Sequence, residues 1–374
     1  LDGTKTEYSY NAAGQRTKSS DGELTTEYGY DLVGNLTQQS TTGRTEISFE
    51  YLYDLNNRMV SETRNESGAT VKSEYVYDKL GQIESFKTSE DYIETYTYDA
   101  AGNMTQKSVK GLAISMTYDA ANELKTMQSE KGKITYSYDA NGNLTQKELD
   151  GKKDTYTYDA LNRLTSYVGY DGYAQNYTYN AQSMMSAKES KGNPNRQTME
   201  EIASGKKEEP SSQDDDPDPA EWVKTSYTYD VTAPYYEVLT ETTNGVKTSY
   251  DYGIERLSSY SGSSAWNTIK TQYVYDGRGS VAQELSNNNS WYTFGGALSK
   301  ATKSSYSYTP FGELLSGINA RTTFYAYNGE SYDSATGMVN LRARQYEPAT
   351  MRFSQRDIIR GFTVIPSTQN RYAY

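Results

Sequence analysis

Large side chains recur along this chain at every second position in short runs, and each run is closed by an aspartate and a turn rich in glycine or asparagine. Clear copies are YGYDLVGNL at 28–36, YVYDKLGQI at 75–83, YTYDAAGNM at 96–104, YSYDANGNL at 136–144 and YTYDALNRL at 156–164. Looser copies start at Tyr8, Tyr51, Met116 and Tyr177, and successive units lie about 20 to 24 residues apart. Tyrosines two apart share one face of a strand, so each unit reads as a β-hairpin. Asp99 can accept hydrogen bonds from the amides that follow it, and Gly102 can take the left-handed conformation. Met104 and Gln106 then resume the alternation on the return strand. Asp31, Asp54, Asp78, Asp99, Asp119, Asp139 and Asp159 are accordingly expected to be turn residues.

The pattern fades after Tyr179 and resumes at YTYD (227–230), Tyr250, Tyr252, YVYD (273–276), YSYTPFGEL (306–314) and YAYN (325–328). Roughly 14 hairpins with strands about 4.8 Å apart would make a sheet on the order of 130 Å wide, or a ring about 40 Å across. The expected organisation is a YD-repeat β-hairpin array over 1–187, an acidic flexible insertion over 188–222, continued repeats over 223–305 and a terminal segment over 306–374. The fold class is all-β. An alternative architecture is a seven-bladed β-propeller, since two such hairpins make one four-stranded blade.

Composition sharpens this picture. The 374 residues include 39 Tyr against seven Phe and three Trp, with only 35% hydrophobic residues, so the interior must be built largely from phenol rings whose hydroxyls need partners. The chain has no Cys and no His, which excludes disulfides, thiolate nucleophiles, imidazole bases and the usual zinc ligands. A net charge of −12 argues against nucleic acid as a partner. No apolar run is long enough to span a bilayer and no signal peptide opens the chain. No cofactor or metal is expected. Asp214, Asp215, Asp216 and Asp218 offer the oxygen ligands calcium takes, but Pro217 and Pro219 interrupt them and no glycine supplies the sharp turn, which favours a solvated loop. The N-x-Ser/Thr sites at Asn35, Asn103 and Asn143 fall on the repeated turns and read as turn residues.

The repeats, followed by YSYTPFGELL at 306–315 and YNGESYDSATGMVNLRARQYEPATMRFSQRD at 327–357, resemble the RHS/YD-repeat family and its RHS-associated core. The resemblance covers nearly the whole chain and is weakest over 188–222. It implies a Tyr-rich sheet that spirals into a hollow shell, with the core segment as a plug or cap. In bacterial members such a shell belongs to polymorphic toxins or insecticidal toxin complexes and holds a variable C-terminal effector; in teneurins a similar shell serves adhesion. A secreted or bacterial cell-surface location follows from the resemblance, as does an effector of the same polypeptide beyond Tyr374, the chain reading as a fragment of a longer one.

Family members often cleave themselves after the core using aspartates. Asp357, preceded by Arg356, matches the first aspartate of that region, and these two are the candidate catalytic residues by resemblance alone. The chain departs from the pattern, with Asp357-Ile-Ile-Arg-Gly in place of Asp-Pro-x-Gly, and no second aspartate motif precedes Tyr374. A proton-sharing dyad needs two carboxylates, so an equal reading is a buried Arg356–Asp357 ion pair locking the plug. Arg342, Arg344, Arg352, Arg356 and Arg360 form the one dense basic region; they are expected to pair with Glu330, Glu347 and Asp357 at the docked cap, and the alternation in Leu341–Arg344 reads as a strand. Three functions follow: a scaffold that encapsulates or presents a toxin, an adhesion module binding cell-surface carbohydrate or a receptor through exposed aromatics such as Trp222, Trp266 and Trp291, and an incomplete self-cleaving protease.

Overall fold

A computed structural model describes residues 5–194, 196–205, 221–233, 236–264, 267–288, 302–316, 323–359 and 370–373. Among these residues, 25 strands from Glu7–Tyr10 to Thr302–Ser305 form a single antiparallel meander in which every strand pairs with its sequence neighbours. One continuous sheet replaces the separate blades that a propeller requires.

Each hairpin is built as its residues dictate. Asp99 Oδ1 accepts hydrogen bonds from the Ala101 and Asn103 amides at 2.9 and 2.8 Å, and Gly102 follows at φ 79°. The other six repeat aspartates make the same pair of bonds. Where asparagine replaces glycine, as at Asn122 and Asn162, it too takes a positive φ. Asn103 and Asn143 are buried and donate to the next turn, at Asn122 and Asn162, so these two sequons are structural.

The return strand departs from simple alternation. Met104 pairs with Tyr98 and Gln106 with Thr97, which leaves Thr105 as a bulge, and the same shift recurs in the other hairpins. One extra residue reverses the phase of everything after it. Met104 and Lys107 therefore face inward and Gln106 outward, where strict alternation puts Met104 and Gln106 together. Beside the bulge, the second tyrosine of the next hairpin donates its hydroxyl to the first carbonyl of the return strand. Tyr98 reaches Ile83 at 2.8 Å, Tyr118 reaches Met104 at 2.6 Å and Tyr179 reaches Leu164 at 2.6 Å. The bond recurs in most hairpins from Tyr30 to Tyr308, but the buried Tyr158 hydroxyl does not make it. It explains why the rings are tyrosines: phenylalanine would fill the same space and leave that carbonyl without its donor.

The sheet does not close into a ring. Its last strands tuck inside its first, so that Val274, Ala282 and Leu285 pack on the inward-facing Ile47, Phe49 and Tyr51. Tyr51 Oη accepts from the Gly277 amide at 2.6 Å, and Arg64 donates to the Tyr306 carbonyl at 2.5 Å. About 18 strands make one turn, a circumference on the order of 90 Å and a tube roughly 28 Å across. Side chains from opposite walls leave room in such a tube for about one further layer. Residues 306–316 and 323–353 supply most of it, as a two-stranded hairpin and a five-stranded sheet from Thr323–Tyr325 to Arg352–Phe353.

The short helix Met199–Ala203 supplies the rest. Met199 and Ala203 are fully buried against the wall strands, and Thr198 caps the helix in a reciprocal box with Glu201. Ahead of it, Arg196 is buried between Asp171 at 2.8 Å and Asp154 at 3.2 Å. Residues 188–191 complete the strand Met185–Lys191. The flexible segment expected over 188–222 is thus ordered in its first part, because Met199, Ala203 and Arg196 have buried partners that the local polar composition hides. The Asp214, Asp215, Asp216 and Asp218 cluster lies outside the described residues.

Glu66 clasps the overlap. It accepts from Gln283 at 2.6 Å, Ser305 at 2.5 Å and Lys303 at 2.9 Å. Partial burial works against the charge, but the hydrogen bonds from Ser305, Lys303 and Arg64 prevail and hold the carboxyl down at about 2. A depressed folded-state value means that the clasp contributes fully above about pH 4.5 and weakens as pH falls toward 2. Glu66→Gln should remove that acid dependence, and the amides of Val281–Asn288 should lose hydrogen-exchange protection first, by about 1–3 kcal/mol. Unchanged protection in the variant would refute the clasp.

Candidate functional site

The cap meets the wall through three lysines that the bulge turns inward. Lys107, Lys147 and Lys188 stand at the same place in three hairpins, three residues after Met104, Leu144 and Met185, and all are buried. Each receives a carboxylate from a different motif of the terminal segment. Glu313 of the TPFGEL turn lies 2.6 Å from Lys107, Asp333 of the YDSATG turn lies 2.9 Å from Lys188, and Glu347 of the QYEPAT turn bonds Lys147. Glu200 of the short helix shares Lys147 at 2.9 Å and accepts from the Tyr136 hydroxyl at 3.0 Å. Thr350 donates to the other oxygen of Glu347 at 2.7 Å. Burial disfavours the charge on all three lysines, yet their carboxylate partners more than reverse this and raise their pKa values. Burial and the neighbouring Glu200 push the Glu347 carboxyl up to about 6, against the pull of Lys147.

A second contact line runs along the aspartate turns. Arg352 donates to Asn103 Oδ1 at 2.9 Å and to the Asn122 carbonyl, and lies 4.8 Å over the Tyr118 ring. The Leu144 amide donates to the Ser354 carbonyl at 3.0 Å, and Tyr372, fully buried, donates to the Gly142 carbonyl at 2.9 Å. Gly142 has φ 81°, and a Cβ there would come within 2.5 Å of the Tyr372 hydroxyl and 3.1 Å of Arg356. Both the turn and the docked segment therefore require glycine at this position.

Asp357 and Arg356 sit at the end of this line and do not pair with each other. Asp357 bonds Arg344 at 2.9 Å and accepts from the Ile359 amide at 2.8 Å, while Arg356 packs against Gly142. No second acid is among the described contacts of Asp357. Glu347, the nearest acid in sequence, is committed to Lys147. The basic residues divide differently from expectation. Arg342 pairs with Glu330 at 2.8 Å and Arg344 with Asp357, but Glu347 takes a lysine of the wall. Leu341–Arg344 is a tight hairpin instead of a strand, because Arg342 adopts φ 63° with its amide bonded to Asn340 Oδ1. Arg360, Trp266 and Trp291 lie outside the described residues, and Trp222 is about half exposed. Among the described residues no acidic group is arranged to hold a metal, and no helix is long and apolar enough to cross a membrane.

Sequence reasoning missed the three lysines. Their shared position, in MTQK, LTQK and MSAK, was the available signal; strict alternation assigned it to the solvent face.

Lys147→Met should strand Glu200 and Glu347 without a cation and cost about 3–5 kcal/mol, read from chemical unfolding. The raised Glu347 carboxyl takes up its proton in the folded state first. Its contribution to stability therefore grows as pH falls from about 6 to 4.5 and declines as pH rises through that window. Glu347→Gln should flatten this dependence, which amounts to about 2 kcal/mol; an unchanged slope would place the titration elsewhere.

Residues 41–199 match the family model for the teneurin YD-shell. Over 99% of its length the chain also superposes on a Tc holotoxin pore structure from Photorhabdus luminescens, at a TM-score of 0.59 and 14% identity, and it spans 20% of that chain. A crystal structure of TcdB2-TccC3 aligns with all of the chain at 11% identity, over 28% of its own length, with a TM-score of 0.30. No curated protein matches. Its tyrosine–aspartate hairpins and spiralling sheet agree with this match, and over residues 41–199 the chain is similar to the teneurin YD-shell family.

Proposed function

We propose that this chain is the capped end of a secreted or surface-borne bacterial shell, a scaffold that houses or presents a toxin effector carried by the same polypeptide beyond Tyr374. The observation that carries this reading is the cap itself: three separate motifs of the terminal segment each give a carboxylate to a buried wall lysine. Such pairing fixes one piece in one place more than it adds stability, which suits a closure. The Tc holotoxin likeness supplies the toxin context.

The space for an effector has to come from elsewhere in the shell. A cavity between the wall and the cap is about 380 Å³, the size of a small-molecule site and far too small for a folded domain. Since the chain spans about a fifth of the matched Tc chain, further wall is the expected source of volume.

The test uses the natural polypeptide that contains this segment. Under limited proteolysis the sequence after Tyr374 should survive in the native protein and be digested when Lys147→Met loosens the cap. Equal digestion of both would end the container reading. On this reading Asp357 is an ion-pair partner of Arg344, so Asp357→Asn should leave the mass of the polypeptide unchanged. A native chain found severed, with the variant intact, would instead make Asp357 a cleavage residue.

A further inference from the structure

The cavity of about 380 Å³ lies between the inner wall, with lining residues such as Met185 and Tyr275, and the cap residues Tyr325 to Arg342. Its aromatic walls are held rigidly. Tyr229 donates its hydroxyl to the Met185 carbonyl, Tyr252 to Val238 and Tyr275 to Arg256, at 2.7 to 2.8 Å. It opens to solvent beside Ile254, which is 57% exposed, and beside the exposed Arg342.

The charges around this space fall into two groups. Lys188 with Asp333, Arg342 with Glu330 and Glu255 with Arg16 are closed ion pairs at 2.9, 2.8 and 3.2 Å. Arg256 and Glu237 also line the cavity, and among the described residues neither has an oppositely charged group within the 4.0 Å of an ion pair. Arg256 is held in place with its guanidinium 3.2 Å from the Tyr325 ring centre and one N–H donating to the Gly329 carbonyl at 3.0 Å. Burial raises the Glu237 carboxyl above its ordinary value, although Arg256 and Arg342 pull the other way. A fixed, buried cation facing a cavity is costly without a counter-charge, and the partly buried Glu237 carboxylate faces the same space. At the same site Tyr236, a lining residue, has φ 45°, a conformation that bulky residues rarely adopt and that clusters at ligand sites.

We propose that this cavity binds a small zwitterion with a flat apolar side chain, an aromatic α-amino acid or a dipeptide bearing one, with its carboxylate on Arg256, its ammonium on Glu237 and its ring against Tyr227, Tyr229 and Tyr252. The volume of about 380 Å³ suits a ligand of that size. A neutral sugar would stack on the same rings but leave both charges unmatched.

The purified chain would be titrated with L-phenylalanine, 3-phenylpropionate, phenethylamine and methyl glucoside, followed by calorimetry and saturation-transfer NMR. Phenylalanine should bind, and the two analogues lacking one charge should each bind at least about tenfold more weakly. Glu237→Gln, at a partly exposed position, should abolish the preference for phenylalanine over 3-phenylpropionate while leaving 3-phenylpropionate binding in place. Arg256→Gln should abolish the preference over phenethylamine, with circular dichroism confirming that it folds; if it does not fold, the Glu237 variant decides. The proposal is overturned if phenylalanine gives no signal at millimolar concentration, if all four probes bind alike, if methyl glucoside binds in its place, or if Glu237→Gln keeps the native preference.

Discussion

A phenol hydroxyl bonded to the carbonyl beside a bulge, hairpin after hairpin, is the constraint on which this molecule rests. The bulge bends the strand and raises its local twist, and repetition at the same point of nearly every hairpin curls the sheet continuously in one direction. The tyrosine spans the bulge and ties each hairpin to the one before it, as from Tyr118 to Met104. A sheet so constrained has to roll. With about 18 strands to the turn, the last strands meet the first and slide inside them, where Val274 and Leu285 find Phe49 and Tyr51.

The same extra residue decides the chemistry of the interior. By reversing the phase of the return strand it sends Lys107, Lys147 and Lys188 into the tube. Three ammonium groups in a space lined with tyrosine and aliphatic side chains would be prohibitively costly alone. The terminal segment answers with Glu313, Asp333 and Glu347, and the short helix adds Glu200 to the middle lysine. Wall and cap are therefore complementary in charge as well as shape, while Lys107 has a further partner on the wall itself, Glu94 at 3.3 Å. The exact order of turns in the terminal segment has its explanation here: each turn delivers one acid to one lysine.

Closure has a consequence for any role as a container. The tube formed by the described residues is filled by its own terminal segment and helix. One cavity against the cap is sized for a small molecule and is edged by an arginine and a glutamate that have no ionic partner among the described residues. Rigid walls of anchored tyrosine make it a defined pocket.

Much of this was determined by the sequence alone. The Tyr-x-Tyr-Asp spacing identifies hairpins, their antiparallel order and the turn role of Asp99 and its equivalents, because those features depend on residues within a few positions of one another. What the tertiary structure decided is where separation in the chain is large. A one-residue bulge is a local event with a non-local result, and strict alternation reads Lys107 as solvent-facing when it is buried. The partner of Glu347 lies 200 residues away at Lys147, and that of Asp357 is Arg344 across a turn, not its neighbour Arg356. The burial of Met199 and Arg196 inside a polar stretch likewise depends on walls formed by distant strands. Periodicity fixes which way a side chain points within its own hairpin; only the rolled sheet fixes what it meets there.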